Sequence, residues 1–184
     1  MFLAHLWIPI VVSAVLVFIA SSVIHMVVKW HRSDFRALPN EDAVRSAIRA
    51  GNAVPGEYMI PYCSDMKDMK SPDMQRKFTE GPIAGIVLRA PGPPSMGRPL
   101  VLWFIFNLVV AAIAAYVAAK GLPATAAAGP VCAVAGTVAF VAYAGGSVQM
   151  GIWWGKPWPN VARDVIDGLI YGVITGAVFA WLWR

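Results

Sequence analysis

Apolar positions along this chain gather into four long runs instead of alternating with polar ones. Residues 2–28 hold no Asp, Glu, Lys or Arg. At about 1.5 Å per residue a helix over that run reaches roughly 40 Å, enough to cross a bilayer. Residues 100–119 and 130–154 are equally free of ionised side chains, and 161–183 carries charge only near its start, at Arg163, Asp164 and Asp167. The pattern predicts an all-α membrane protein with four transmembrane helices. A partly helical cytoplasmic loop of roughly seventy residues, 29–99, joins helices one and two. "KGLPATAAAG" is then a short hairpin between helices two and three, and "GKPWPN" a tight connection before helix four, with Asn160 as its N-cap. A cleaved signal peptide is the rival reading of the first run, with "FIASS" as the cut. No basic residue precedes the run, however, and it is too long for a signal core, so an uncleaved helix is expected.

Composition supports a bilayer as solvent. The chain is 58% apolar and 14% charged, against the roughly 25% charge of ordinary soluble domains. The net charge of +5 raises the question of nucleic acid, but eleven of fifteen basic residues lie between Lys29 and Arg98 beside eight of ten acids. Such a mixed surface excludes a nucleic-acid partner. The basic residues do set a direction. Lys29, Arg32, Arg36, Arg45, Arg89 and Arg98 flank the long loop, and Lys156 and Arg163 flank the last connection; the opposite side has Lys120 and Arg184. Basic residues concentrate on the cytoplasmic side of a bacterial inner membrane, which puts both termini on the periplasmic or extracellular face. Tryptophan agrees: Trp30, Trp103, Trp153, Trp154 and Trp158 fall near one interface, Trp7, Trp181 and Trp183 near the other.

Small residues predict how the spans pack. Gly168, Gly172 and Gly176 lie on one face of helix four, and Ala111, Ala115 and Ala119 on helix two offer a matching face. Lipid gives helices no hydrophobic reason to pair, so close backbone approach across small residues marks the contacts. Helix three, with Ala135, Ala139, Ala142, Gly145 and Gly146, is similarly small. Within the loop, "EDAVRSAIRAG" reads as a short helix with Val44, Ala47 and Ile48 on its inner side. Ser71-Pro72-Asp73 opens another that stops at Gly81. "NAVPGEYMIPY" should be extended, and "IAGIVL" should lie against the bundle or the interface.

Candidate chemistry is sparse. Cys63, Met66, Met69 and Met74 follow a C-x2-M-x2-M-x4-M spacing, and thiolate and thioether select Cu(I). The same residues alternate with Asp65, Lys67, Asp68 and Lys70, which describes an ordinary amphipathic turn as well. No cofactor is expected, with Cu(I) as the alternative. His5 and His25 lie about 30 Å apart on one helix, and helices two to four contain no histidine, so a bis-His haem within one chain is excluded. His25, one turn inside the membrane, and Asp164 and Asp167 are the polar, proton-responsive candidates. Asp164 and Asp167 are expected to pair with Arg163 and Lys156, or to join Asn107, Ser147 and Gln149 around a small aqueous vestibule. "HRSD", His31 to Asp34, places His and Asp where lipid-processing enzymes work but matches no catalytic motif; P-loop, G-x-S-x-G and H-E-x-x-H patterns are absent. The expected role is a non-catalytic accessory, assembly or structural subunit of a membrane complex. Its partners would be the bilayer and other membrane subunits or a second copy. Soft-metal handling and small-molecule or ion transport are the alternatives.

Overall fold

The computed structural model describes residues 5–183; the first residues of the 2–28 run and Arg184, counted above among the outer charges, lie outside the described residues. In chain order the helices are α1 (Trp7–Val23), α2 (Glu41–Ala50), α3 (Pro72–Glu80), α4 (Gly97–Gly121), α5 (Ala128–Trp154) and α6 (Trp158–Leu182). The strands are β1 (Gly56–Ile60) and β2 (Ala84–Leu88). The chain divides into two compact units, Met1–Arg36 with Ser95–Arg184, and Ala37–Pro94.

In the first unit, α1 with its extension to Val28, α4, α5 and α6 are each long and apolar enough to cross a membrane. Prolines sit where a helix tolerates them. Pro99, Pro130 and Pro159 all fall in first turns, where the missing N–H has no intrahelical acceptor to lose. α4 and α6 therefore begin at Gly97 and Trp158. Pro157, not Asn160, is the N-cap of α6; Asn160 lies inside the first turn and its amide donates to the Asp34 carbonyl at 3.1 Å. α5 runs unbroken through Pro130 and Gly145-Gly146.

The glycine face of α6 packs on α5, and not on the alanines of α4 as the matching faces suggested. A Cβ at Gly176 would lie 2.6 Å from the Cys132 carbonyl oxygen, one at Gly168 2.8 Å from the Ala144 Cβ, and one at Gly172 2.9 Å from the Gly136 carbonyl. Both members of the α5–α6 pair are small at the contact, so the backbones approach more closely than alanine against valine would allow. Ala111 and Ala115 instead join Leu6, Val131, Ala135 and Phe179 in a core at one end of the bundle, with Ala119 packed on its edge. Val17, Ile24 and Tyr171 form a second core toward the other end, with Trp30, Trp103 and Tyr143 against it.

The Ala37–Pro94 unit is held differently. β1 and β2 pair antiparallel, with Gly56 opposite Leu88 and Ile60 opposite Ala84. The "IAGIVL" segment thus finds its hydrogen bonds in a ladder with residues 56–60. α2 buries no residue, and Val44 and Ala47 are exposed. Ser71 caps α3 by accepting from the Met74 N–H at 3.3 Å, and Met74 is the one buried residue of the unit.

Candidate functional site

The site forms where α1 ends, and it begins with a change of helix type. The last turn of the first span, Ile24–Val28, is a π-turn, Lys29 is left-handed at φ 59°, and Trp30–Asp34 is a 3₁₀ turn. On a straight α-helix two residues six apart are separated by about 9 Å and face different ways. Here the wide turn and the left-handed residue fold the chain back. The imidazoles of His25 and His31 stack, with ring centroids 4.6 Å apart and planes 8° from parallel. π-turns and non-glycine left-handed residues cost energy and are often found at functional sites.

The Nε2 atoms of both rings lie near Asp167, ten residues into α6. His31 Nε2–H donates to Asp167 Oδ2 at 2.8 Å, and His25 Nε2 lies 3.9 Å from the same oxygen. The far sides of the rings are engaged as well. His31 Nδ1–H donates to Asp34 Oδ2 at 2.6 Å, and His25 Nδ1–H donates to the Ser21 carbonyl at 3.0 Å. A carbonyl only accepts, so neutral His25 carries its proton on Nδ1 and presents a lone pair at Nε2. His25 Nε2 thus faces a carboxylate oxygen beyond hydrogen-bonding distance.

Each acid of the cluster has a basic neighbour. Arg163 pairs with Asp34 through its other carboxylate oxygen, and Lys156 pairs with Asp164, which also accepts from Ser147 Oγ at 2.6 Å. Asp164 thus meets one expected partner. Asp167 does not: its neighbours are His31 and His25, and its Oδ1 is buried without a hydrogen-bond partner. Burial works against a charged His31, but the hydrogen bonds to Asp34 and Asp167, and their charges, outweigh it and raise its pKa above the usual histidine value. Burial also acts to raise Asp34; His31 and Arg163 overcome it and hold the carboxyl below the usual range.

Beside the cluster lies a cavity of about 560 Å³, walled by Trp103, Phe106, Tyr143 and Tyr171, with Ser21, His25, Asp164 and Asp167 among its polar lining. Trp103 Nε1–H donates to Ser21 Oγ at 2.8 Å, tying α4 to α1 at the cavity wall. Asn107 accepts from Tyr143 Oη at 3.1 Å, and Gln149 is exposed.

His25, His31 and Asp167 bring three potential ligand atoms within 4.8 Å of one another, as do His31, Asp34 and Asp164.

No protein-family model, curated protein or solved structure matches the chain.

Among residues singled out in the sequence, His25, Asp164 and Asp167 come together at this one end of the bundle. The Cys–Met set is dispersed in environment. Met74 is buried, Met66 is 78% exposed, Met69 sits in a 3₁₀ turn, and the Cys63 thiol donates to the Asp65 carbonyl at 3.0 Å. His5 is exposed ahead of α1. His31 and Asp34 join His25, Asp164 and Asp167 there, although their spacing alone does not place them in the cluster. The available signal was that His25, His31 and Asp34 fall within ten residues at the same bilayer interface as Asp164 and Asp167.

Proposed function

We propose that this is a four-span protein of a bacterial inner membrane that holds a divalent first-row transition cation between His25, His31 and Asp167. Both termini lie outside and the segment between the first two spans is cytoplasmic, as the distribution of basic residues favours. The observation that carries the metal reading is the nearness of two Nε2 atoms to Asp167 Oδ2 while both Nδ1 atoms are tied to acceptors; the stacked rings would tilt apart for both lone pairs to meet one ion. Carbonyl or carboxylate partners on the far nitrogen fix the tautomer and orientation of a metal-binding imidazole. Metal–ligand bonds of about 2.0–2.2 Å place neighbouring donor atoms roughly 3–4 Å apart, and 2.8 and 3.9 Å lie close to that span. A cation held there would take the place of the proton between His31 Nε2 and Asp167 Oδ2. Two imidazoles and a carboxylate suit Zn²⁺, Fe²⁺ or Co²⁺ better than Cu(I), and three protein ligands leave a coordination position open.

A subunit role in a larger membrane complex fits the same architecture. The glycine face of α6 lends it no support, because α5 already covers that face.

Titration of the detergent-purified protein with Co²⁺, read by its visible absorption, tests the metal reading. One saturable equivalent is expected, with affinity reduced about 10–100-fold by His25→Ala or by Asp34→Asn. His25 is half-exposed and belongs to neither buried core, so its replacement leaves both cores filled. No saturable binding, or binding indifferent to His25→Ala, contradicts the reading.

A further inference from the structure

We infer that the cavity beside this cluster takes a single-chain amphiphile from the bilayer, with an oxyanion head at the metal and its tail along the aromatic wall. The inference rests on the metal reading for its head and on the cavity alone for its tail. Cavities of roughly 300–1,000 Å³ that are mainly apolar, with a few convergent polar groups, are the usual form of a small-molecule site; this one measures about 560 Å³. Its polar groups are confined to a few positions. Ser21, His25, Asp164 and Asp167 supply polar groups on one side of it, where the metal cluster lies.

The way in is through the membrane-spanning surface. Met26, Leu100 and Phe106 line the cavity and are themselves exposed, and all three belong to stretches apolar enough to span. A ligand entering there comes from lipid, so its body is an acyl or isoprenoid chain. Its head is set by charge. A divalent cation held by one carboxylate and two neutral imidazoles keeps net positive charge and an open position, which a carboxylate or phosphate oxygen satisfies.

Gly146 gives a clean way to fill the space. It lines the cavity, and a Cβ there meets nothing within 4 Å, so a side chain can start from this position without a clash. The test uses the full chain in nanodiscs, loaded with Zn²⁺ and titrated with dibromostearate, dibromo-lysophosphatidate and dibromostearate methyl ester. Bromine on the tail quenches tryptophan, and Trp103 is in the wall. Saturable quenching by one of the two acids is expected, and which one distinguishes a carboxylate from a phosphate head. Gly146→Leu should weaken it roughly 10–200-fold, the range over which pocket shape discriminates, while metal content stays unchanged. Quenching by the ester as strong as by both acids, or non-saturable quenching unaffected by Gly146→Leu, overturns the inference. Metal content is read separately by atomic absorption. A metal-loaded protein that fails to bind sinks the amphiphile and leaves the metal reading standing. A metal-free protein that still binds the acids sinks the metal and with it the proposed seat of the head.

Discussion

The Ala37–Pro94 unit and the helical bundle each offer a set of donor atoms, and they differ in what holds those atoms still. In the first, Cys63, Met66, Met69 and Met74 lie on turns and one short helix, and only Met74 is buried. Around it the unit relies on one strand pair and on exposed ion pairs such as Asp73 with Lys77 and Arg76, which hold the Asp73 carboxyl below its usual range. Exposed pairs of this kind contribute little to stability. In the bundle, His31, Asp34 and Asp167 are nearly enclosed, and each is oriented by a second group on another element or turn. Close sequence spacing of donor residues therefore says less about a site than the packing that fixes their rotamers.

The largest effect is expected at the α5–α6 contact of the bundle. Gly176→Leu forces side-chain atoms into the Cys132 carbonyl and should cost at least the 1–3 kcal/mol typical of overpacking. The expected readout is loss of a monodisperse peak in size-exclusion chromatography, because backbone cannot yield as a side chain does. At the site itself, Asp167→Asn should weaken Co²⁺ binding by at least about tenfold, whereas Cys63→Ser combined with Met66→Leu should change it less than about twofold. Equal effects from the two variants would erase the distinction between the regions.

Smaller changes sharpen the contrast within the Ala37–Pro94 unit. Met74→Ala removes its buried side chain and should lower local stability by about 1–2 kcal/mol, below the 2–5 usual for a full core. Faster amide exchange in α3 with unchanged exchange in α5 would show it. Ser71→Ala deletes the cap on the Met74 N–H and should cost about 0.5–1 kcal/mol, seen as faster exchange in the first turn of α3 alone.

Much of this architecture is legible from residue patterns, because a bilayer demands long uncharged helices and the runs at 2–28, 100–119, 130–154 and 161–183 supply them. The α3 helix was legible for a local reason, the Ser71-Pro72 start and the Gly81 stop. Partner choice among small-residue faces was not. Gly168, Gly172 and Gly176 are compatible with either alanine-rich neighbour, and only three-dimensional packing selects α5. The ladder between residues 56–60 and 84–88 was missed because long-range pairing leaves no spacing signal in a five-residue apolar run. The site was half legible: His25 and Asp167 stand out as polar groups in apolar helices. His31 did not, because its place beside His25 depends on a π-turn and on left-handed Lys29, neither of which has a residue signature here.

X-ray absorption at the zinc edge of the Zn²⁺-loaded, full-length protein tests the central claim most directly. A first shell of nitrogen and oxygen at about 2.0–2.1 Å, with the outer-shell scattering of two imidazoles, is the result expected for His25, His31 and Asp167. A sulfur shell at about 2.3 Å would move the metal to a cysteine, Cys63 or Cys132, and contradict the account.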